Sequence, residues 1–329
     1  MRKSFLKPIL LLAAMIMLAT TACAHPTPKA DEGINGEVSD IKVSADLKDT
    51  EMAVTDMNDI LTDTIEVMSQ AMGRTIKNVV IKPEYYITNN QHARYPVLYL
   101  LHGATGCYSD WSKKTDLHRL ANKYNVIIVC PDGQDSWYFD SPVDPKMQFE
   151  TYVSKELVEY IDSHYRTHAN RYMRAITGLS MGGHGALFLA FRHPDVFWSC
   201  GSMSGNMDIT QFPDSWHIKD RLGNYESNPQ RWRDHAVCNQ LDKVKNSPLK
   251  PAQNIIIDDG LNDIFIKNNI AIHDKMVEMD IDHDFTVRPG RHSWDYWVNS
   301  LDYHMMFFDK AFHRGAELLR KEAQSNVNN

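Results

Sequence analysis

The sequence predicts an α/β fold, a central and mostly parallel sheet with helices on both faces, and three observations lead to it. Short apolar runs alternate with longer stretches whose apolar residues recur at helical spacing. The runs lack an alternating polar face, which is the pattern of strands covered on both sides. A glycine-framed serine, Gly178-Leu179-Ser180-Met181-Gly182, stands between one such run and one such stretch.

Ordered text begins near Thr64, where two β-branched runs around a turn read as a hairpin closed by Pro83. Residues 96–101 (PVLYLL) form the first buried strand, and 117–124 a helix. The next strand, 125–130 (NVIIVC), is stopped by Pro131-Asp132-Gly133. Val153, Leu157, Tyr160 and Ile161 place a helix over 149–165. A short strand follows at 174–177, then a helix over 183–192 and strands at 200–203 and 254–258. The remaining elements are a helix at 269–279, a last strand at 284–287 and a closing helix at 297–319. Ligands of such sheets bind beyond the carboxyl ends of the strands, so chemical residues are expected there.

The chain begins with Arg2, Lys3 and Lys7 around an apolar run at 8–19, followed by small residues. That run is shorter than the roughly 20 residues of a spanning helix, so 1–22 reads as a secretory signal peptide. Two processing routes fit. Cleavage after Ala24 releases a soluble exported protein, whereas a lipoprotein box ending at Cys23 gives a lipid-anchored one. The cysteine so soon after the apolar run favours the lipoprotein, although Thr20 departs from its pattern. Residues 23–63 are polar and read as a leader or linker, 64–320 as one folded domain, and 321–329 as a polar tail.

Charged residues make up 23% of the chain and the net charge is −7, which argues against a nucleic-acid surface. Cys130 and Cys200 sit in apolar text as buried thiols, and no CxxC pair suggests a disulfide framework. Neither a H-E-x-x-H zinc motif nor a phosphate-binding loop occurs, so no metal and no cofactor is called for.

A G-x-S-x-G between strand and helix is a nucleophile elbow. The serine occupies a strained backbone on a tight turn, the glycines remove side chains that would collide, and the helix start favours developing negative charge. A serine hydroxyl needs a base, and this arrangement supplies it in the order Ser, then Asp or Glu, then His. Among fifteen histidines, His292 lies in the turn after the last strand. His184, four residues past Ser180, reads as packing. Of Asp258, Asp259 and Asp263, only Asp263 lies past Gly260 with room to turn toward an imidazole. Asp295 is expected to line the pocket. The oxyanion hole is expected from the N–H of Met181 and, on the loop after the first buried strand, the N–H of Ala104.

Together, 95–103 (YPVLYLLHG), Pro131-Asp132-Gly133, Trp137-Tyr138, 178–186 (GLSMGGHGA), Gly260-Leu261-Asn262-Asp263 and 290–294 (GRHSW) resemble the esterase D-like branch of the α/β hydrolases. That branch includes feruloyl and acetylxylan esterases of carbohydrate esterase family one. The resemblance runs from about residue 68 to residue 312 and implies acyl transfer to water through a serine ester, without metal. Trp137, Tyr138 and Trp294 are expected near the strand ends, where they would stack on an aromatic acyl group or a sugar. Export and such a pocket suit feruloyl groups on plant hemicellulose, with acetylated xylan as the runner-up. Acyl transfer to a sugar and a non-catalytic carbohydrate-binding relic are the other readings.

Overall fold

Eight strands form one sheet in the computed structural model, which describes residues 57–89 and 91–327. The expected signal peptide, Cys23 and the leader up to residue 56 lie outside the described residues. The strands are β1 (Thr62–Ser69), β2 (Arg74–Ile81), β3 (Val97–Leu101), β4 (Ile127–Pro131), β5 (Arg174–Gly178), β6 (Ser199–Met203), β7 (Asn254–Gly260) and β8 (Asp284–Arg288). Their spatial order is β1-β2-β4-β3-β5-β6-β7-β8. The β1–β2 hairpin adds to the sheet antiparallel to β4, and β3 to β8 are mutually parallel. This is the α/β-hydrolase arrangement.

Successive side chains on a strand point to opposite faces, and two cores result. Val97, Tyr99 and Leu101 of β3 face a core shared with helices α2 (Leu157–His164), α3 (Met181–Arg192) and α4 (Ile266–Glu278). Leu98 and Leu100 face the other, closed by α1 (Leu117–Tyr124) and α5 (Trp294–Val327). All five residues of β3 are buried, and each of its four aliphatic side chains contributes about 1.5–3 kcal/mol. Both faces being covered is what makes the strand text continuously apolar.

Element ends differ from the sequence expectation for local reasons. Asn125, expected in a strand, is the left-handed C-cap of α1 at φ 49°, a conformation asparagine tolerates. The Asp116 carboxylate accepts the Arg119 N–H at the other end of that helix. Helix α3 starts at Met181, two residues before expectation, because its glycines are demanded by packing despite their low propensity. Helix α5 starts at Trp294 and continues to Val327, through much of the segment expected to be a tail.

Between β6 and β7 lies a segment of short helices and turns, 204–253. It joins the first core through Met207, Ile209 and Trp232.

At the end of β7, Asp258 points toward α5 and is fully buried. Arg288 of β8 pairs with it at 2.6 Å, and the hydroxyls of Tyr296 and Ser300 donate to its other oxygen. Removing one partner of such a pair strands the other charge. Arg288→Met is therefore expected to lower unfolding stability by about 3 kcal/mol in urea titration.

Candidate active site

The carboxyl ends of β3, β5, β7 and β8 deliver the expected chemical residues to one place. Ser180 follows β5 with its backbone at φ 53° and ψ −117°, outside the regions open to ordinary residues. Such strain costs about 1–3 kcal/mol and survives only where the surroundings enforce it. Here α3 is pressed against β3. A Cβ on Gly182 would stand 2.5 Å from the His102 carbonyl oxygen and 2.6 Å from that of Leu101. No residue larger than glycine fits that contact.

The second close approach joins the other two loops. A Cβ on Gly260 would meet the Gly290 carbonyl carbon at 2.7 Å. Across this contact Leu261 N–H donates to Arg288 O, and Asn262 N–H to Gly290 O. The two loops thus carry Asp263 and His292 as one unit.

His292 Nδ1 lies 3.0 and 2.9 Å from the two Asp263 carboxylate oxygens, and Nε2 lies 2.9 Å from Ser180 Oγ. Nδ1–H donates to the carboxylate, which leaves Nε2 free to accept the serine proton. The Asp263 side chain is fully enclosed and also accepts the Phe265 N–H. The imidazole is held edge to face between Phe265 at 5.2 Å and Trp297 at 4.8 Å.

Ser180, His292 and Ala104 line a cleft of about 640 Å³. Met181 is the first residue of α3, so its N–H has no carbonyl partner within the helix. Ala104 sits on the loop after β3, braced on both sides. Thr105 N–H donates to Asp135 Oδ1 at 2.7 Å. Gly133 N–H donates to His102 Nε2 at 2.8 Å, which fixes the proton on Nδ1, and that donates to Gly103 O at 2.7 Å. The arrangement can pass a proton from serine to imidazole and offer backbone N–H groups to an oxyanion. A second groove of about 610 Å³ runs along β8 and α5 but holds none of these groups.

Of the three aromatics expected to contact substrate, only Trp294 lines the cleft. Trp137 and Tyr138 are 1% and 0% exposed and offer it no ring face. They brace it from beneath. Trp137 Nε1–H donates to the Trp216 carbonyl, and Tyr138 O–H to that of His102. Two rings missed in the sequence also line the cleft, Trp216 on the 204–253 segment and Trp297 on α5. Trp216 packs on Phe265 at 5.3 Å, so the rings Trp216, Phe265, His292, Trp297 and Trp294 form a continuous series. Asp295 is exposed and not part of the lining. His184 is enclosed among Trp137, Phe139 and Phe188, and burial pushes its imidazole down to about 3. It stays neutral and packs. Among the described residues no cluster of His, Cys, Asp and Glu could hold a metal ion, and no helix is long and apolar enough to cross a membrane.

A family model described as "Putative esterase" matches residues 69–308. An acetyl esterase of Caldicellulosiruptor saccharolyticus is 27% identical over 212 residues, covering 61% of this chain and 78% of that protein. The diacylglycerol acyltransferase/mycolyltransferase Ag85B of Mycobacterium leprae is 27% identical over 283 residues, covering 72% and 80%. Among solved structures, a ferulic acid esterase is 27% identical with a TM-score of 0.64, covering 76% of this chain and 98% of that one. The relatives thus span esterases and acyltransferases rather than one branch.

Ser180→Ala is expected to lower turnover of p-nitrophenyl acetate by on the order of 10⁶ with an unchanged melting curve. Asp263→Asn, which removes the acceptor that holds the imidazole tautomer, is expected to lower kcat by about 10⁴.

Proposed function

The chain belongs to the "Putative esterase" family and is a carboxylic-ester hydrolase of the α/β-hydrolase type, and from that premise we propose that it releases feruloyl groups from plant hemicellulose through an acyl-serine intermediate. Ser180 Oγ attacks the ester carbonyl while His292 Nε2 takes its proton. The tetrahedral oxyanion is received by the N–H groups of Met181 and Ala104, each worth about 3 kcal/mol. Asp263 steadies the imidazolium, which returns the proton to the departing alcohol. Water then attacks the acyl carbonyl while His292 takes its proton, and the imidazolium returns that proton to Ser180 Oγ as the ester bond breaks and the acid leaves. The His292 side chain is 22% exposed, which leaves solvent a path for that second half.

The observation that carries the acyl choice is the series of rings beside the imidazole. Trp216 and Trp294 present indole surface to the cleft, and planar aromatic groups stack on such surfaces. An acetyl group has no ring to stack there. The 27% likeness to a ferulic acid esterase supports the same reading. Transfer to a sugar hydroxyl in place of water is the second reading, supported by the likeness to a mycolyltransferase. Export rests on the charged start, the short apolar run and the small residues around Cys23, with a lipid on that cysteine as the anchor.

Methyl ferulate is expected to be hydrolysed with a kcat/KM well above that of acetylated xylan. Trp216→Ala should raise KM for methyl ferulate about tenfold, the equivalent of ~1.4 kcal/mol of stacking, and leave p-nitrophenyl acetate within about twofold. A preference for the acetylated polymer would move the proposal to an acetyl esterase. An acyl-sugar product would move it to a transferase.

A further inference from the structure

Two aspartates end β7 side by side, and the fold treats them differently. Asp258 faces α5, where Arg288 supplies a cation at 2.6 Å. Asp259 points to the opposite face of the sheet, by strand alternation. It is 0% exposed. Among the described residues no Lys, Arg or His lies within ion-pair distance of its carboxyl. Its Oδ1 accepts the Gly260 N–H at 2.8 Å. Gly260 is the peptide on which the acid-bearing turn is built. Its carbonyl accepts the Asp263 N–H at 2.9 Å, and its α-carbon rests against Gly290 of the histidine loop.

We propose that Asp259 is a positioning residue of the triad: its enclosed carboxyl clamps Gly260 and so sets where Asp263 meets His292. The proposal rests on the serine-esterase reading of Ser180, His292 and Asp263. The clamp works as the neutral acid. The titratable and charged groups nearest it are Asp263 on the same turn, Asp258 on the same strand with Arg288 already engaged, His292 beyond Asp263, and the neutral phenol of Tyr296 of α5, whose hydroxyl is committed to Asp258. On its own face Ser204, after β6, offers only a hydroxyl. Two negative charges in this enclosed turn would share the single imidazolium that forms on His292, and Asp263 needs that partner for itself. Burial, then the charge of Asp263, push the Asp259 carboxyl up to about 8. Below that pH Asp259 adds a hydrogen-bond acceptor behind Asp263 without adding charge. Above it, a second carboxylate appears with no cation to meet it, and the turn must open or draw in water.

The stability consequence has a definite sign. The folded state keeps a proton that the unfolded chain loses above about pH 4. The wild type therefore loses stability as pH rises from about 4 to about 8 and no further from this group above that.

The test is the pH profile of kcat/KM on p-nitrophenyl acetate for the wild type and Asp259→Asn, which keeps the acceptor and cannot ionise. The wild type is expected to show an alkaline limb near pH 8. In the variant that limb should move up by at least about one pH unit, whereas Asp259→Ala, which removes the acceptor, should lower kcat/KM by about tenfold or more at every pH. The melting temperature of Asp259→Asn relative to wild type should climb between about pH 4 and 8. An alkaline limb shared by wild type and Asp259→Asn overturns the proposal. Should the variant fail to fold, the wild type alone decides, since a flat profile to about pH 9.5 is incompatible with this clamp. A wild type that hydrolysed no ester would remove the esterase reading instead.

Discussion

The contact between the start of α3 and the end of β3 is the constraint on which the site depends. Gly182 lies directly on the Leu101 and His102 carbonyl groups, so the chain between β5 and α3 has only the strained path that Ser180 takes. The same contact makes Met181, directly after Ser180, the first residue of the helix. It also fixes the distance to the loop after β3, which carries Ala104. The strain is offset by the two cores that hold α3 and β3 in place. Ser180 and the two proposed oxyanion donors therefore depend on one packing contact.

A comparable economy governs the acid and the base. Gly260 and Gly290 touch, and through them two loops from adjacent parallel strands move together. Charge is confined at this corner. Asp258 is met by Arg288 on one face, Asp263 by His292 beyond the strand ends, and among the described residues Asp259 has no cation within ion-pair distance. Three aspartates within six residues would be intolerable in an enclosed corner if all were ionised without partners.

Much of this was legible in the sequence because it depends on local rules. Strands covered on both faces are apolar wherever they cross the core, and 96–101 and 255–257 announce themselves that way. Ser180, Asp263 and His292 could be singled out because each stands just beyond a strand, where a parallel sheet collects its ligands. What was not legible depends on packing across the fold. Trp137 and Tyr138 follow a strand as a surface-facing pair would, yet left-handed backbones at φ 57° and 60° turn their rings beneath the cleft. Trp216 lies in aperiodic text, so nothing local marks it, and its place is fixed by Phe212, Phe265 and Trp137. The early start of α3 was hidden for the opposite reason. Its glycines read as a loop by propensity, whereas the close approach to β3 requires them.

The placement of Trp216 carries a consequence of its own. Every group that handles protons or negative charge is anchored to the ends of sheet strands, whereas this indole is carried by the long excursion between β6 and β7. A change confined to Trp216 would reshape the cleft wall and leave Ser180, Asp263 and His292 on their strand ends, whereas Met207, Ile209 and Trp232 of the same excursion are held by the core. The wall of the cleft and its reactive groups are thus built from different parts of the chain.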